Sequence, residues 1–284
     1  MNSMHFVFST FIILFTLWSA TVAAQAPETE PGGWQLSLGI GAGVRTNPVM
    51  NNSDMPLVVI PQINYQGDRF FIQNLDFGYE LWRDQRQQVS LFLTPSYDQI
   101  FFHHWQGATF ISTLQTTTGL TKDQTQPTVD PLNRFINKHQ LRERRMAALG
   151  GVEYSLQGEI VDFQLQVLHE LTGYYDGDEV HLALTKTIDL GRSQVKLTLG
   201  ANWQSARTLD YFYGLTTTEA PGQEYSPDSG VSTLMRFDWN YQLDEHWTLN
   251  FFSSYRHLNS AIVASPLTTS DNVTTAFVGG VYHF

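Results

Sequence analysis

The sequence predicts an all-β fold: a single transmembrane, antiparallel, up-and-down β-barrel of the bacterial outer-membrane type, with about 12 strands or, as the alternative, about 10. Three observations predict this class. Several segments alternate large apolar with polar side chains, aromatic residues make up 13% of the chain against 15% charged residues, and the chain ends in a strand pattern that closes with Phe284. Soluble domains carry about a quarter charged residues, so this composition favours aromatic girdles at a membrane.

The last strand, predicted over residues 272–284, has one face that suits lipid. That face carries Thr274, Ala276, Val278, Gly280, Tyr282 and Phe284, because side chains alternate between the two faces of a strand. The closing strands of outer-membrane barrels commonly end on an aromatic residue in this way. Tyr282 and Phe284 are therefore the predicted barrel-assembly signal, and the barrel-assembly machinery is a predicted partner.

The first residues predict export. Residues 1–24 contain no Asp, Glu, Lys or Arg, and an apolar run over 6–18 is followed by small residues up to Ala24. This pattern is typical of a cleaved secretory signal peptide. A retained membrane anchor is the alternative, but the run is shorter than the ~20 residues that span a bilayer. Residues 25–33, rich in Pro and Glu, are predicted to be a flexible periplasmic lead.

Charge and cysteine content exclude several kinds of partner and chemistry. The chain has 27 acidic and 16 basic residues and a formal net charge of −11, which excludes a nucleic-acid partner. It has no cysteine, so disulfide and thiol chemistry are excluded as well. The predicted location is the outer membrane of a Gram-negative bacterium.

The barrel is predicted over residues 34–284. One alternating strand would also suit a soluble β-sandwich, but the pattern recurs too often for that reading and favours an apolar lipid face with a polar lumen. Short turns, at 157–159, 190–192 and 243–245, alternate with long loops near 100–144, 206–229 and 258–272. If Phe284 ends in the periplasm, all three long loops lie outside the cell. The strand count is least defined between residues 57 and 97.

Charged residues on the polar faces are predicted to point into the lumen. They either line a solute channel or fill a polar interior, and a barrel of this size lies between small filled barrels and wide porins. The filled interior is favoured. The predicted lumen charges are Asp76, Glu80, Glu153, Asp162, Glu170, Lys196, Arg236, Asp238 and Arg256, with Arg45 facing them.

With its strands placed, the sequence resembles the MipA/OmpV family of outer-membrane proteins, also called the MltA-interacting protein family. The matching segments are PQINYQGDRFFIQNLDFGYELWRD from Pro61, LRERR (141–145), DYFYGL (210–215), HWTLNFFSSYRHL (246–258), ASPL (264–267) and GGVYHF (279–284). The segment TTTEAPGQE (216–224) is shorter than the insertion that the family usually carries there. Functions that depend on this loop are therefore the least transferable.

The resemblance implies a non-enzymatic envelope scaffold that links a lytic transglycosylase to a peptidoglycan synthase. Other members of the family are described as adhesins, so a surface-exposed adhesion or binding protein is the alternative, with a small-solute channel as the third. Outer-membrane lipid and lipopolysaccharide are the expected surroundings.

Residues in the predicted outer loops are the candidates for interaction. Arg142, Arg144 and Arg145 either contact lipopolysaccharide phosphates, which suit arginine geometry, or pair with acidic loop residues. The other candidates are Tyr211, Tyr213 and Gly214 of an aromatic knot, and Ser265 and Pro266 of ASPL. His103, His104 and His139 stand in no catalytic or metal-ligating motif, so no catalytic residue, metal or cofactor is predicted.

Overall fold

Twelve antiparallel strands close into one barrel in the computed structural model, which describes residues 33–50, 52–102 and 141–284. Each strand pairs with its neighbours in the chain, and the last pairs with the first. The strands are β1 Gly33–Arg45, β2 Met55–Gln66, β3 Phe70–Gln73, β4 Asp76–Arg83, β5 Gln87–Pro95, β6 Ala148–Leu156, β7 Asp162–Glu170, β8 Asp178–Leu190, β9 Ser193–Gln204, β10 Gly230–Gln242, β11 Trp247–His257 and β12 Asn272–His283.

The predicted fold class and the count of about 12 strands are confirmed. The helical elements are short: a 3-10 helix over Asp98–Phe102, α1 over Ala206–Tyr213 and α2 over Ser260–Val263. Among the described residues, no helix is long and apolar enough to cross a membrane. The predicted signal peptide, residues 1–24, lies outside the described residues, as do His103, His104 and His139.

Side chains alternate across the barrel wall as the sequence predicts. In β1 the exposed residues include Trp34, Leu36 and Ile40. In β12 the inward side chains of Phe277 and Val281 are buried. The outward apolar face suits lipid, whereas the inward face of β12 mixes polar Thr275 and His283 with apolar Phe277 and Val281.

The seam between β1 and β12 is tightly packed. Ser37 pairs with His283 and Arg45 with Thr275 along the register. A β-carbon on Gly41 would lie 2.2 Å from the Val278 carbonyl oxygen and 2.8 Å from the Phe277 ring. Glycine is therefore needed at position 41 for the close approach of these two strands.

The two ends of the barrel differ. At one end the connections are long, at 46–54, 96–147, 171–177, 205–229 and 258–271; at the other they are short, at 67–69, 84–86, 157–161, 191–192 and 243–246. The chain ends at Phe284 on the side of the short turns. Outer-membrane barrels have short periplasmic turns and long extracellular loops, so we name these the outer end and the periplasmic end.

Strands β3 and β4 form a short hairpin in the wall. Strand β2 pairs with β3 only over residues 64–66, and Asn74 at the hairpin turn closes this contact through its backbone N–H to the Ile63 carbonyl, at 2.7 Å. Among the described residues, the rest of β2, from Met55 to Ile63, pairs in the sheet only with β1. This explains how β2 accommodates Pro56 and Pro61, since proline is tolerated where a strand lies at an edge.

Candidate functional site

The outer end of the barrel is closed by a hydrophobic cluster, which we call the outer plug. Its helices start at defined caps: Ser205 accepts the Thr208 N–H, and Asn259 accepts the Ile262 N–H at 2.9 Å. Both helices then turn their apolar side chains inward. The outer plug consists of Val49, Met55, Phe101, Leu209, Phe212, Tyr213, Leu258, Ile262 and Val273. Packed together, these residues occupy space at the outer mouth that an open pore would leave to water.

A polar contact joins the outer plug to the barrel wall. Asp98, buried at the start of the 3-10 helix, accepts from Arg256 Nη1 at 2.9 Å and from Gln204 Nε2 at 2.9 Å. Arg256 belongs to β11 and Gln204 ends β9. One carboxylate therefore fixes the 3-10 helix against two strands.

Arg144 lies inside the outer loops. Its guanidinium donates to the carbonyls of Phe212 at 2.6 Å and Gly214 at 3.1 Å, and it lies 4.9 Å from the centre of the Phe102 ring. Its side chain is 2% exposed, and Glu219, 3% exposed, lies 3.7 Å away. Burial lowers the pKa of Arg144 to about 10, although the charge of Glu219 opposes that shift.

Glu219 is the acidic centre of this loop cluster. It accepts from the Arg142 N–H at 2.8 Å, the Thr216 N–H at 3.0 Å and the Thr216 hydroxyl at 2.9 Å. Burial raises the pKa of Glu219, but these hydrogen bonds and the charge of Arg144 outweigh it, so the pKa lies below its ordinary value. The carboxylate thus ties the 141–145 segment to the loop between β9 and β10.

The three candidate arginines have different surroundings. Arg142 donates to the Asp210 carbonyl and lies over Tyr211, 5.9 Å from the ring centre. The Arg145 backbone N–H donates to the Tyr211 hydroxyl oxygen at 2.7 Å, and the Arg145 side chain is 60% exposed beside Glu143. Pairing with acidic loop residues is therefore what the geometry shows for Arg144. The Arg144 side chain is buried, so a contact with lipopolysaccharide stays a prediction for Arg142 and Arg145, whose side chains are 32% and 60% exposed.

The remaining loop candidates tie two outer loops together. The Ser265 hydroxyl donates to the Tyr213 carbonyl at 2.6 Å and accepts the Leu267 N–H at 3.2 Å. Gly214 supplies its carbonyl to Arg144. Pro266 lies between Ser265 and Leu267 and is half-buried. These residues hold the outer plug together and, apart from Pro266, are buried.

The predicted lumen charges lie on the lumen side, but they pair locally more than across the barrel. Arg236 pairs with Asp238 on the same strand, with its guanidinium 4.7 Å from the Phe252 ring centre. Glu80 pairs with Arg83 at 2.7 Å near the periplasmic end. Arg256, by contrast, reaches from β11 in the wall to Asp98 of the 3-10 helix, at 2.9 Å.

Other lumen carboxylates are satisfied by neutral donors. Glu153 accepts from Gln164 and Gln166 at 2.9 and 2.7 Å. Asp76 accepts from Thr94 at 2.6 Å and from Tyr97 at 3.0 Å.

Asp162 and Glu170 lie at the two ends of β7, and the Lys196 side chain has no polar contact with the described residues. Asp162 accepts the Gly158 N–H at 3.2 Å in a periplasmic turn, and Glu170 accepts the backbone N–H groups of the 172–176 loop at the outer end. Lys196 has no hydrogen bond or ion pair within the described chain.

A groove opens at the periplasmic end, which we call the rim groove. It has a volume of about 630 Å³ and is formed by Arg192, Gln242, Asp244, Glu245, His246, Trp247 and Tyr282. Asp244 accepts the backbone N–H groups of His246 and Trp247, both at 2.8 Å, and these bonds hold the pKa of Asp244 below its ordinary value. The Tyr282 ring lies 5.8 Å from His246 and 5.2 Å from Trp247.

Sequence reasoning missed the rim groove because it treated 190–192 and 243–245 as simple turns. The signal was present in the residue types. A turn with Asp244 and Glu245 leads directly into His246 and Trp247, and the closing strand brings Tyr282 alongside. Aromatic residues next to charged ones at a chain turn are typical of interaction surfaces as well as of membrane girdles.

A closed antiparallel barrel with an apolar outer wall, short turns at one end and long loops at the other defines an outer-membrane β-barrel protein. A family model described as MltA-interacting protein MipA matches residues 38–284. The chain therefore belongs to this family. Its place is the outer membrane of a Gram-negative bacterium.

The relatives have low identity, and their matches differ in extent. The MltA-interacting protein of Escherichia coli K12 is 22% identical over 280 residues, covering 93% of this chain and 95% of the relative. The outer membrane protein OmpV of Vibrio cholerae serotype O1 is 29% identical over 125 residues, 43% of this chain and 47% of that protein. A solved Pseudomonas aeruginosa FadL homologue has a TM-score of 0.38 at 6% identity, covering 88% of this chain and 87% of that one.

Proposed function

We propose that the protein is a non-enzymatic scaffold of the outer membrane that docks a periplasmic lytic transglycosylase at its rim groove. The rim groove is the observation that supports the proposal, because its turn residues Arg192, Asp244 and Glu245 lie at the periplasmic end of the barrel, where cell-wall enzymes work. As a scaffold, the protein would link this transglycosylase to a peptidoglycan synthase.

The chemistry of the rim groove fits a protein partner. Trp247 and Tyr282, on the lipid-facing side of β11 and β12 at their periplasmic ends, supply aromatic surface, and the turn residues Arg192, Asp244 and Glu245 supply charges of both signs beside it. Aromatic residues and arginine are enriched at protein interfaces, and charged groups at the edge select the partner. A stable interface buries roughly 800 Å² per partner, so neighbouring periplasmic turns would complete the contact.

The name of one relative also supports the scaffold proposal. The Escherichia coli relative is called an MltA-interacting protein and matches 93% of this chain. The outer plug argues against the channel alternative, since it fills the outer mouth with packed side chains.

Charge reversal in the rim groove tests the scaffold. Arg192→Glu combined with Glu245→Lys alters the groove edge while leaving Trp247 and Tyr282 in place. We expect capture of a lytic transglycosylase from crosslinked envelopes to fall by about tenfold or more, while the folded barrel keeps its heat-modifiable gel migration. Glu159→Lys, in another periplasmic turn, is the matched control and should capture normally. Equal capture by the groove variant and wild type would contradict the proposal.

An outer groove favours surface binding as the second candidate function. It has a volume of about 350 Å³ and is formed by Arg142, Tyr174, Tyr175, Ala206, Arg207, Asp210, Tyr211, Ser226 and Pro227. The Tyr211 ring lies parallel to Tyr174 at 6.5 Å and beside Tyr175 at 4.9 Å. Exposed aromatic faces beside charged groups suit glycans or extracellular proteins.

Variants on opposite ends of the barrel separate the two functions. If the protein acts by surface binding, Tyr174→Ala with Arg207→Ala reduces attachment of expressing cells to immobilised glycans, and the rim-groove variant does not. If the scaffold is correct, the outer variant captures the transglycosylase as well as wild type does.

A further inference from the structure

A cavity of about 310 Å³ lies inside the barrel beneath the outer plug. Asp98 and Phe101 of the 3-10 helix form its outer boundary, and residues of β1 and of β8 to β12 form much of its wall. Small-molecule sites in proteins have volumes of about 300–1,000 Å³, so this cavity lies at the lower end of that range. It is large enough for a small organic molecule.

Two arginines present unused donors to this cavity. Arg45 donates its Nε to the Thr275 hydroxyl at 3.2 Å, and within the described chain it forms no ion pair with a carboxylate. Arg256 uses Nη1 on Asp98, whereas its Nη2 is buried without a hydrogen-bond partner. A buried donor without a partner costs stability, and a ligand oxygen would remove that cost.

The carboxylates that line the cavity are already engaged. Asp98 accepts from Arg256 and Gln204. Glu179 lies 2.9 Å from His181 Nε2. These acids therefore leave the Arg45 guanidinium and Arg256 Nη2 available to a further anion.

The cavity also offers one unused acceptor and an apolar wall. Asn202 Oδ1 is buried and has no hydrogen-bond partner in the structure. Leu149, Phe101 and Val273 are buried side chains that line the same space. The site thus combines cationic donors, one amide acceptor and hydrocarbon surface, which is the usual composition of a small-ligand pocket.

We propose that this cavity binds a small carboxylate with an apolar body and a hydroxyl or amino group beside the carboxylate. Arg45 and Arg256 Nη2 hold the carboxylate through charge-assisted hydrogen bonds. Asn202 Oδ1 accepts from the neighbouring hydroxyl or amino group, and the apolar body packs on Leu149 and Val273. The site is independent of the proposed scaffold.

The ligand enters from the periplasm. A second cavity of about 480 Å³ lies below the first, and Gln164 and Ala183 line both. Its lining reaches Gln66 and Gln157 at the periplasmic ends of the wall. The outer plug closes the opposite route.

Purified barrel folded in detergent provides the test, with 3-phenyllactate as the probe. This compound has a carboxylate, an adjacent hydroxyl and an apolar ring, and its uncharged amide is the matched control ligand. We expect calorimetric binding of phenyllactate and a rise in the temperature at which heat-modifiable gel migration is lost, with neither effect from the amide. Arg45→Gln should weaken binding by roughly tenfold or more, because a charge-assisted hydrogen bond is removed.

Asn202→Ala gives a second, independent readout. It should weaken phenyllactate but leave 3-phenylpropanoate, which lacks the hydroxyl, within about twofold, because only the hydroxyl uses Asn202. Arg86→Gln, in a periplasmic turn, is the matched arginine control and should bind as wild type does. Absence of binding by wild type, equal binding of the amide, or an unchanged affinity in folded Arg45→Gln would each overturn the proposal.

Discussion

Arg256 of β11 and Asp98 of the 3-10 helix meet at 2.9 Å, and this ion pair is one of the links between the barrel wall and the outer plug. Asp98 is buried, with Gln204 on its second oxygen. Breaking a buried pair by removing one partner is costly because it leaves an uncompensated charge. The seal of the outer mouth therefore depends on a group that sits within the lumen.

Asp98→Ala should lower the free energy of unfolding by about 3 kcal/mol. This is the lower end of the range for losing one partner of a buried ion pair, because the Arg256 side chain is 19% exposed. The 3-10 helix loses its contact with two strands, so the outer plug loosens. We expect unfolding at lower urea concentration and discrete conductance steps in planar bilayers that wild type lacks.

Asp238→Ala is the control for the loss of a lumen carboxylate. It removes the partner of Arg236 without touching the outer plug. It should therefore show no conductance steps. If Asp98→Ala conducts no more than Asp238→Ala, the ion pair is not what holds the outer mouth closed.

The arginines at 144 and 145 should respond differently to the same substitution. Arg144→Ala removes donors from buried carbonyls and takes the buried guanidinium away from Glu219, which keeps only Arg142 at 3.9 Å among the described cations, so we expect a loss of about 3 kcal/mol. Arg145→Ala removes an exposed pair and should change stability by no more than about 0.5 kcal/mol. The measurement is limited proteolysis of intact cells, in which the rate of cleavage within residues 205–229 is compared between the two variants. Equal cleavage of the two variants would show that the Arg144 contacts do not order this loop.

The outer loops should weaken at acid pH through Glu219. Its pKa in the folded protein lies below the ordinary value of 4.5. The unfolded chain therefore binds the proton more readily, so the stabilisation is fully present above pH 4.5 and is lost as the pH falls through the lower folded pKa. Protease resistance of the 205–229 loop from pH 6 down to pH 3 measures this with an acid-active protease.

Glu219→Gln is the control for that titration. It cannot ionise, so its loop should be more susceptible at neutral pH and should change less between pH 6 and pH 3. A variant that keeps the full wild-type acid dependence would assign the titration to another group.

The fold was predictable because a barrel wall imposes a period of two on every strand. That period placed Trp34 and Leu36 outward and Arg236 and Asp238 inward. The short strand β3, only four residues long, carries too little alternation to be counted with certainty. The uncertainty therefore fell in the region that holds the shortest strand.

The sites were less predictable because they depend on contacts between distant segments. Arg144 was recognised as part of a basic cluster, but its burial comes from carbonyls about 70 positions away, at Phe212 and Gly214. The rim groove forms where the β8–β9 turn, the β10–β11 turn and the end of β12 lie side by side. The periodicity of a single strand does not show which turns are neighbours. Charge and residue type identify candidates, and only packing decides which are exposed.

Tyr282 and Phe284 remain the predicted assembly signal. Their rings lie 5.0 Å apart, and Tyr282 also contacts Trp247, so the last residues form an aromatic cluster at the periplasmic edge. Phe284 is 77% exposed, and its backbone N–H donates to the Leu36 carbonyl at 3.0 Å.

We expect deletion of Phe284, or Tyr282→Asp with Phe284→Asp, to abolish folded outer-membrane protein. An acidic side chain on the lipid face costs less than the about 2–4 kcal/mol of a basic one at mid-depth, so lost recognition rather than insertion energy would dominate. Val278→Ala, on the same lipid-facing side, should assemble normally. Heat-modifiable migration of outer-membrane fractions measures the outcome, and normal levels of the Phe284 deletion would refute this role for the terminal residue.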